Sequence, residues 1–339
     1  MLNQAEYYIN FLKQNFSNTK ILVVGDIMLD RYYFSKVDRI SPEAPVPIAQ
    51  VQNVEDRSGG AANVANNLAT LGTQVSLLTI AGQDDSLHNL GAMLKLANVN
   101  LIAITSLQIK TTIKLRVVSK NQQLLRIDFE DNIADNLSMQ QELLIRFKQI
   151  VRDFDLIIFS DYNKGVLYNI EAMLNICRQF GVKTLVDPKG DNYNKYCNAN
   201  IITPNVSELS LAVSGFESET IRNQKITALI QDLNLSYLLL TKSEYGMELF
   251  YINNDQLRLK TFPAITTKTV YDVSGAGDTV IAVLGLILAS NKEFTIPSLS
   301  VAIVIANIAA SIVISKFGTA NVSIDEIISE IHKHPYENH

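Results

Sequence analysis

Tryptophan is absent from the 339 residues, cysteine occurs twice and histidine four times. Cys177 and Cys197 form no CxxC motif. A disulfide framework and a zinc site of the Cys/His kind therefore have no support, and a reducing, cytoplasmic location is expected. Proline (8) and glycine (15) are too sparse for a collagen-like or low-complexity chain. Excess positive charge is also missing. The net charge is −5, which argues against a dedicated nucleic-acid partner but leaves room for an anionic small molecule held by a few placed cations. The N-terminal stretch MLNQAEYYINFLKQNF has charge and helical periodicity where a secretory signal would have an apolar core. No repeat and no linker divides the chain. Length alone allows two domains, at roughly 150 residues each, but one large α/β domain over 1–339 is the expectation.

One run, residues 294–315, carries no charge and is long enough to cross a bilayer. Pro297, Asn307 and several serines interrupt it, and glycine-rich loops that need water lie nearby. A helix buried in an α/β core, with no membrane partner, is the preferred reading.

Short apolar runs at 21–26, 75–82, 156–161, 184–188, 200–205 and 237–242 read as buried parallel strands. Amphipathic segments at 62–71, 86–97, 138–152, 169–180 and 219–232 separate most of them, which implies a largely parallel sheet with helices on both faces. Several runs end in a polar residue: Asp26, Asp161, Asp187, Asn205 and Lys242. Ligands of open α/β sheets lie beyond the strands' carboxyl ends, so these residues point to one site. Residues 44–57 and 111–129 instead alternate apolar and polar, with a hairpin expected near 120–122. Lid strands inserted at about 31–58 and 109–130 would form a small sheet over the site. A merely decorative edge hairpin is the alternative.

Four segments carry chemistry. In YDVSGAGDTV, Gly275, Ala276 and Gly277 open a helix whose exposed N–H groups and dipole suit an anion. Asp278 follows in the first turn, placed to take a proton from an attacking hydroxyl. A plain glycine turn with a capping Asp is the bland alternative. In RSGGAANVANNLATLG, Gly59 and Gly60 allow close backbone approach, and Asn63 can bond a sugar hydroxyl. In GDIMLDR, Asp26 and Asp30 follow the first strand and suit polyol recognition, or are solvated loop acids. In TPNVSE, Asn205 and Glu208 have capping-box spacing, and a role near Mg²⁺ and phosphate competes with that purely structural one.

GGAANVA together with SGAGD resembles the ribokinase, or PfkB, family of sugar kinases. VVGDIMLDRY, RISPEAPVPI, NQQLLRIDFE, SDYNKG, VDPKG and KFGTANVS look like the branch that phosphorylates D-glycero-β-D-manno-heptose 7-phosphate at O1, toward ADP-heptose for the lipopolysaccharide core. The resemblance runs from about residue 20 to 325. It implies a ribokinase-like fold, ATP and Mg²⁺ as cofactors, Asp278 as catalytic base and Gly275, Ala276 and Gly277 as anion hole. It implies a nucleotide side at Asn205, Val206, Ser207, Glu208, Thr241, Gly246, Asn307 and Gly318, with Glu208 reaching the metal through water. The sugar side would hold Asp26, Asp30, Gly59, Gly60 and Asn63. Ser274 stands where the family usually has Thr, which keeps the hydroxyl. A fused cytidylyltransferase-like domain, common in this branch, has no room before His339, so a stand-alone kinase is expected. Kinases of fructose 6-phosphate or tagatose 6-phosphate, and a non-catalytic sugar-binding regulator, remain as alternatives.

Two further expectations concern charge and assembly. A sugar phosphate needs about two cations at the far end of its pocket. Lys189 and Lys164 are ranked first for this, then Arg126 and Arg116. Val46, Ile48, Val51, Val54, Ile113, Leu115 and Val117 on the lid would leave apolar surface that a homodimer through the lids covers.

Overall fold

The computed structural model describes residues 4–120, 122–265 and 270–333. In chain order the elements begin with α1 (Gln4–Leu12), β1 (Lys20–Gly25), β2 (Ile27–Lys36), β3 (Gln50–Gly60), α2 (Ala61–Thr70), β4 (Gln74–Gly82), α3 (Asp85–Leu96) and β5 (Val99–Ser106). Then come β6 (Thr112–Ser119), β7 (Gln122–Phe129), α4 (Leu137–Ile150), β8 (Leu156–Ser160), α5 (Ile170–Phe180), β9 (Lys183–Asp187), β10 (Ile201–Ile202), α6 (Val206–Ala212) and α7 (Glu219–Asp232). The chain ends with β11 (Tyr237–Thr241), β12 (Met247–Asn253), β13 (Gln256–Phe262), α8 (Ala276–Asn291), α9 (Ile296–Val313) and α10 (Ile324–Lys333).

Among the described residues two sheets form. The larger has the order β13-β12-β11-β10-β9-β8-β1-β4-β5. It is parallel from β11 to β5, and β12 and β13 extend it antiparallel. Both faces are covered, which explains why the parallel strands read as unbroken apolar runs. Ile21 and Val23 of β1 face one core with α1, α2, α3, α8, α9 and α10. Leu22 and Val24 face the other, with α4, α5, α6 and α7. The charge-free run forms α9, which buries Ala302, Ile303, Ala306 and Ala309 in the first of these cores.

The smaller sheet, β3-β2-β6-β7, is the lid. Its central pair β2·β6 is parallel, and β3 and β7 flank it antiparallel. The structure corrects the expected lid boundaries. Residues 27–36 form a strand, so the lid starts at Ile27 rather than near residue 31, and Asp30 lies within β2 rather than in a loop. The alternation was hidden because Asp30 and Tyr32 sit on the ligand side of β2 while Arg31 pairs with Asp56 on the other. Residues 44–49 pair only through the Ile40–Pro47 bridge, and β10 is shorter than the run at 200–205 that signalled it. The hairpin expected near 120–122 joins β6 to β7, which pair up to Ser119 and Gln122, and Asn121 between them lies outside the described residues.

Asp26 is also corrected. Assigned above to the sugar, it is almost fully buried, and its carboxylate accepts backbone N–H bonds from Tyr162 (2.8 Å), Lys164 (3.2 Å) and Val166 (3.0 Å). Its side chain is committed to pinning the loop after β8. Burial, and then the neighbouring Asp161, push its pKa up to about 6 against those three donors. Asp26→Ala would strand three buried N–H groups and is expected to cost about 3 kcal/mol of stability. Urea unfolding measures this. A loss under about 1 kcal/mol would show that the loop is not held by Asp26.

Candidate active site

Asp278 sits in the first turn of α8, which begins after Gly275 in the left-handed region (φ 81°). A side chain at Gly275 would press on Asn63 Nδ2 at 2.9 Å, so the loop tolerates only glycine there. The Ala276 N–H turns back to Val273 O at 3.3 Å. Gly277 faces open space, with nothing within 4 Å of where a Cβ would stand, so a ligand can reach its backbone. The first-turn N–H groups of a helix lack internal acceptors and favour an anion.

The Asp278 carboxylate is buried, and each oxygen has a protein donor. Asn63 Nδ2 donates to Oδ2 at 2.7 Å and Tyr162 O–H donates to Oδ1 at 2.8 Å. Burial pushes the Asp278 pKa up to about 6, and the two hydrogen bonds hold it from rising further. Asn63 is fixed in turn by Gly60, the N-cap of α2 at φ 59°. A Cβ on Gly60 would run into the Asp26 carbonyl, and one on Gly59 into the Asp30 carboxylate. The glycine pair lets β3 lie against β2 and turn directly into α2.

A cavity of about 160 Å³ opens beside Asp278, lined by Asp187, Lys189, Asn205, Glu208, Thr241 and Gly277 among others. Asn205 and Glu208 form a full capping box on α6, at 2.9 and 3.0 Å, so the structural role read from their spacing is present. They also line this cavity, so the two readings coexist. Val206 and Ser207 are exposed on the first turn of α6. Asp187 ends β9, and its carboxyl is held well above the usual range by burial first and then by Asp278 and Glu208. Two carboxylates, Asp187 and Glu208, thus face one cavity next to an anion-binding helix terminus. That donor set fits a divalent cation held mainly through phosphate and water. Asn307 donates to Pro263 O at 2.6 Å, and Gly246 packs against the same 262–264 segment, so these two positions converge at one edge.

Each of the four cations expected to meet the sugar phosphate is paired with a carboxylate. Lys189 Nζ pairs with Glu208 at 2.6 Å, on the cavity that also holds Asn205 and Gly277. Lys164 pairs with Glu130 at 2.6 Å and lines a neighbouring cavity of about 480 Å³. The lid supplies a further cation on the face that carries Asp30. Lys114, absent from the candidates above, lies opposite Asp30 across β2·β6, and its Nζ stands 5.5 Å from the Tyr162 ring centroid. Arg116, two residues on, bonds Asp30 at 2.5 Å and lies directly opposite Arg126 across β6·β7. Arg126 pairs with Asp128 at 2.8 Å. Tyr162 was also missed, although SDYNKG had marked its loop. The signal for Lys114 was its spacing of two from Arg116, the period of one strand face.

The match to known proteins can now be set against this geometry. The profile of the pfkB family of carbohydrate kinases matches residues 18–327. The chain belongs to the pfkB family of carbohydrate kinases. It is 41% identical over 320 residues to the bifunctional protein HldE of Haemophilus influenzae (strain PittGG), covering 94% of this chain and 65% of that protein. It is 44% identical over 313 residues to the bifunctional protein HldE of Chromohalobacter salexigens, covering 92% and 63%. The chain therefore spans a little under two thirds of the length of these relatives. Among solved structures, phosphofructokinase-2 of Escherichia coli superposes with a TM-score of 0.74 at 17% identity, covering 93% of this chain and 99% of that one. Ribokinase of Giardia lamblia superposes at 0.73 with 15% identity, covering 92% and 99%. The fold is ribokinase-like.

For this kinase, Asp278→Asn keeps the shape and removes the base, and kcat is expected to fall on the order of 10²–10⁴-fold with nucleotide affinity kept. Stability should move the other way. The folded-state pKa of about 6 lies above the ordinary 3.8, so protonation favours the fold. The cost of holding Asp278 ionised is absent below about pH 4 and complete above about pH 7, where it reaches about 3 kcal/mol. The variant is therefore expected to melt higher than wild type at pH 8, with the gap closing as pH falls. Near-normal kcat would make Asp278 a capping residue only.

Proposed function

We propose that this kinase transfers the γ-phosphoryl group of Mg-ATP to O1 of D-glycero-β-D-manno-heptose 7-phosphate, giving the 1,7-bisphosphate. The observation that carries a phosphorylated acceptor is the Arg116–Arg126 pair. Like charges directly opposite on neighbouring strands destabilise a sheet, yet Arg116 and Arg126 hold that register with Lys114 on the same face, offset only by Asp30 and Asp128. Burial, before the neighbouring charges, pulls the Lys114 pKa down. A phosphate dianion bound among the three would relieve that repulsion. The heptose is supported by the sequence motifs quoted above and by the likeness to the HldE proteins.

In the proposed reaction the acceptor hydroxyl approaches Asp278 and gives it the proton as its oxygen bonds the γ-phosphorus. The bond from that phosphorus to the β-phosphate oxygen breaks, and ADP leaves. Asn63 and Tyr162 keep the carboxylate aimed, and the α8 N-terminus faces the charge on the moving group. Mg²⁺, when bound, neutralises phosphate charge, and Asp187 and Glu208 are the residues placed to hold it. Lys189, beside Glu208, lies on the nucleotide side.

A second copy of the chain is proposed to cover the outer lid face. Val54, Leu125, Ile127 and Phe129 are exposed there. Of the residues expected to be bare, Leu115 is buried and Ile48, Ile113 and Val117 are half-buried. Light scattering at micromolar concentration should give twice the chain mass, and a monomer mass would refute the pairing.

ADP release across a panel of sugars tests the substrate. Turnover is expected with heptose 7-phosphate and at least 100-fold weaker kcat/KM with the unphosphorylated heptose. Arg116→Ala should raise KM for the sugar phosphate at least tenfold, about 1.4 kcal/mol, with KM for ATP unchanged. Turnover confined to fructose 6-phosphate or tagatose 6-phosphate would replace the heptose reading, and no turnover with any sugar would favour a binding protein.

A further inference from the structure

Arg57 lies on β3 opposite Asp30, and its guanidinium reaches from the lid to the segment after α9. Its Nη1 donates to Phe317 O at 2.5 Å, in the segment after α9, while its Nε donates to Glu55 at 2.6 Å. The same group lies 5.1 Å from the Tyr32 ring centroid and 5.6 Å from that of Phe317. It is stacked and bonded at once, which only a planar, forked cation does. The next residue, Gly318, has φ 69°, and a Cβ there would collide with Arg57 Nη1. Glycine at 318 thus has a local cause: it makes room for Arg57.

The segment gripped by Arg57 also holds the anion-binding loop. Gly318 N–H donates to Asp272 Oδ2 at 3.1 Å, and Asp272 Oδ1 accepts from Ser274 N–H at 2.9 Å. Ser274 leads directly into Gly275, Ala276 and Gly277. The backbone at 271–272 is further tied to Ile314 O at the end of α9. A continuous set of contacts therefore runs from β3 through Phe317, Gly318 and Asp272 to Ser274, just before α8, and it meets the lid cations only where Arg57 and Arg116 share the Tyr32 ring.

We infer that Arg57 is a positioning residue that couples the lid to the anion hole: it holds the Phe317–Gly318 segment so that Asp272 sets the 274–277 backbone for phosphoryl transfer. The inference rests on the family and its anion hole, not on which sugar is the acceptor. Interactions that matter only when charge moves lower kcat when lost and leave ground-state binding alone.

The test compares wild type, Arg57→Lys, Gly318→Ala and the double variant, using whichever sugar the wild type turns over. A lysine ammonium cannot span Glu55 and the Phe317 carbonyl while stacking on two rings, and a methyl at 318 both pushes on the guanidinium and strains the φ 69° backbone of the segment it grips. Each single change is expected to lower kcat at least tenfold, and Arg57→Lys to leave KM for sugar and for ATP within twofold. The double variant should be no worse than the poorer single, because both break one contact. Hydrogen exchange in the free protein supplies a reading independent of turnover: the 272–278 amides should exchange at least tenfold faster in Arg57→Lys. A raised KM for the sugar with kcat kept would make Arg57 a substrate contact and overturn the inference. A raised KM for ATP in Arg57→Lys, additive losses in the double variant, or a lowered Tm with kcat and exchange unchanged would each overturn it too. Failure of the heptose reading alone would appear as a different acceptor in the wild type, with the pattern across variants intact.

Discussion

A carboxylate that must be both buried and ionised governs this molecule. In the proposed mechanism Asp278 is buried so that phosphoryl transfer proceeds away from water, and it must be charged to take a proton. Burial alone would push it to the neutral form. Two neutral donors, Asn63 and Tyr162, offset that. Each donor requires structure of its own. Asn63 stands in the first turn of α2 because Gly60 lets β3 turn into a helix against the Asp26 carbonyl. Tyr162 stands at the cavity because Asp26 grips the backbone of its loop. Three buried acids, Asp26, Asp278 and Asp187, are held in raised-pKa environments within this small region. That arrangement costs stability and is retained where chemistry needs it.

The lid has two chemically distinct faces. One face carries Asp30, Lys114, Arg116 and Arg126 toward the site. The other carries Val54, Leu125 and Ile127 outward. The strand period of two makes this separation automatic, and a register slip of one residue would exchange the faces. Gly59 against the Asp30 carboxylate helps fix that register.

Much of the fold was legible in the sequence because parallel strands covered on both faces are continuous apolar runs. The five helices read from periodicity lie within two residues of those found. The antiparallel pair β12·β13 was not read, since its outer strand is mostly exposed and lacks a clean pattern. At the site, SGAGD and GGAANVA led to Asp278, Gly277 and Asn63, because their spacing is set by local backbone geometry. The partners of Asp26 and Lys189 were not legible because neither is local. Asp26 is committed to a loop more than 130 residues away in the chain, and Lys189 to Glu208 on another element. Arg57 carried no signal at all, since its partner Phe317 lies 260 residues away.

The most direct test of the account is the titration of the Asp278 carboxyl itself. Carbon-13 NMR of the aspartate side chains in the free protein, with the signal assigned by its loss in Asp278→Asn, reads it without a substrate. The account requires a midpoint near 6. A midpoint at or below the ordinary 3.8 would mean that Asp278 is solvated or ion-paired, and the description of a buried base held ready by Asn63 and Tyr162 would be wrong.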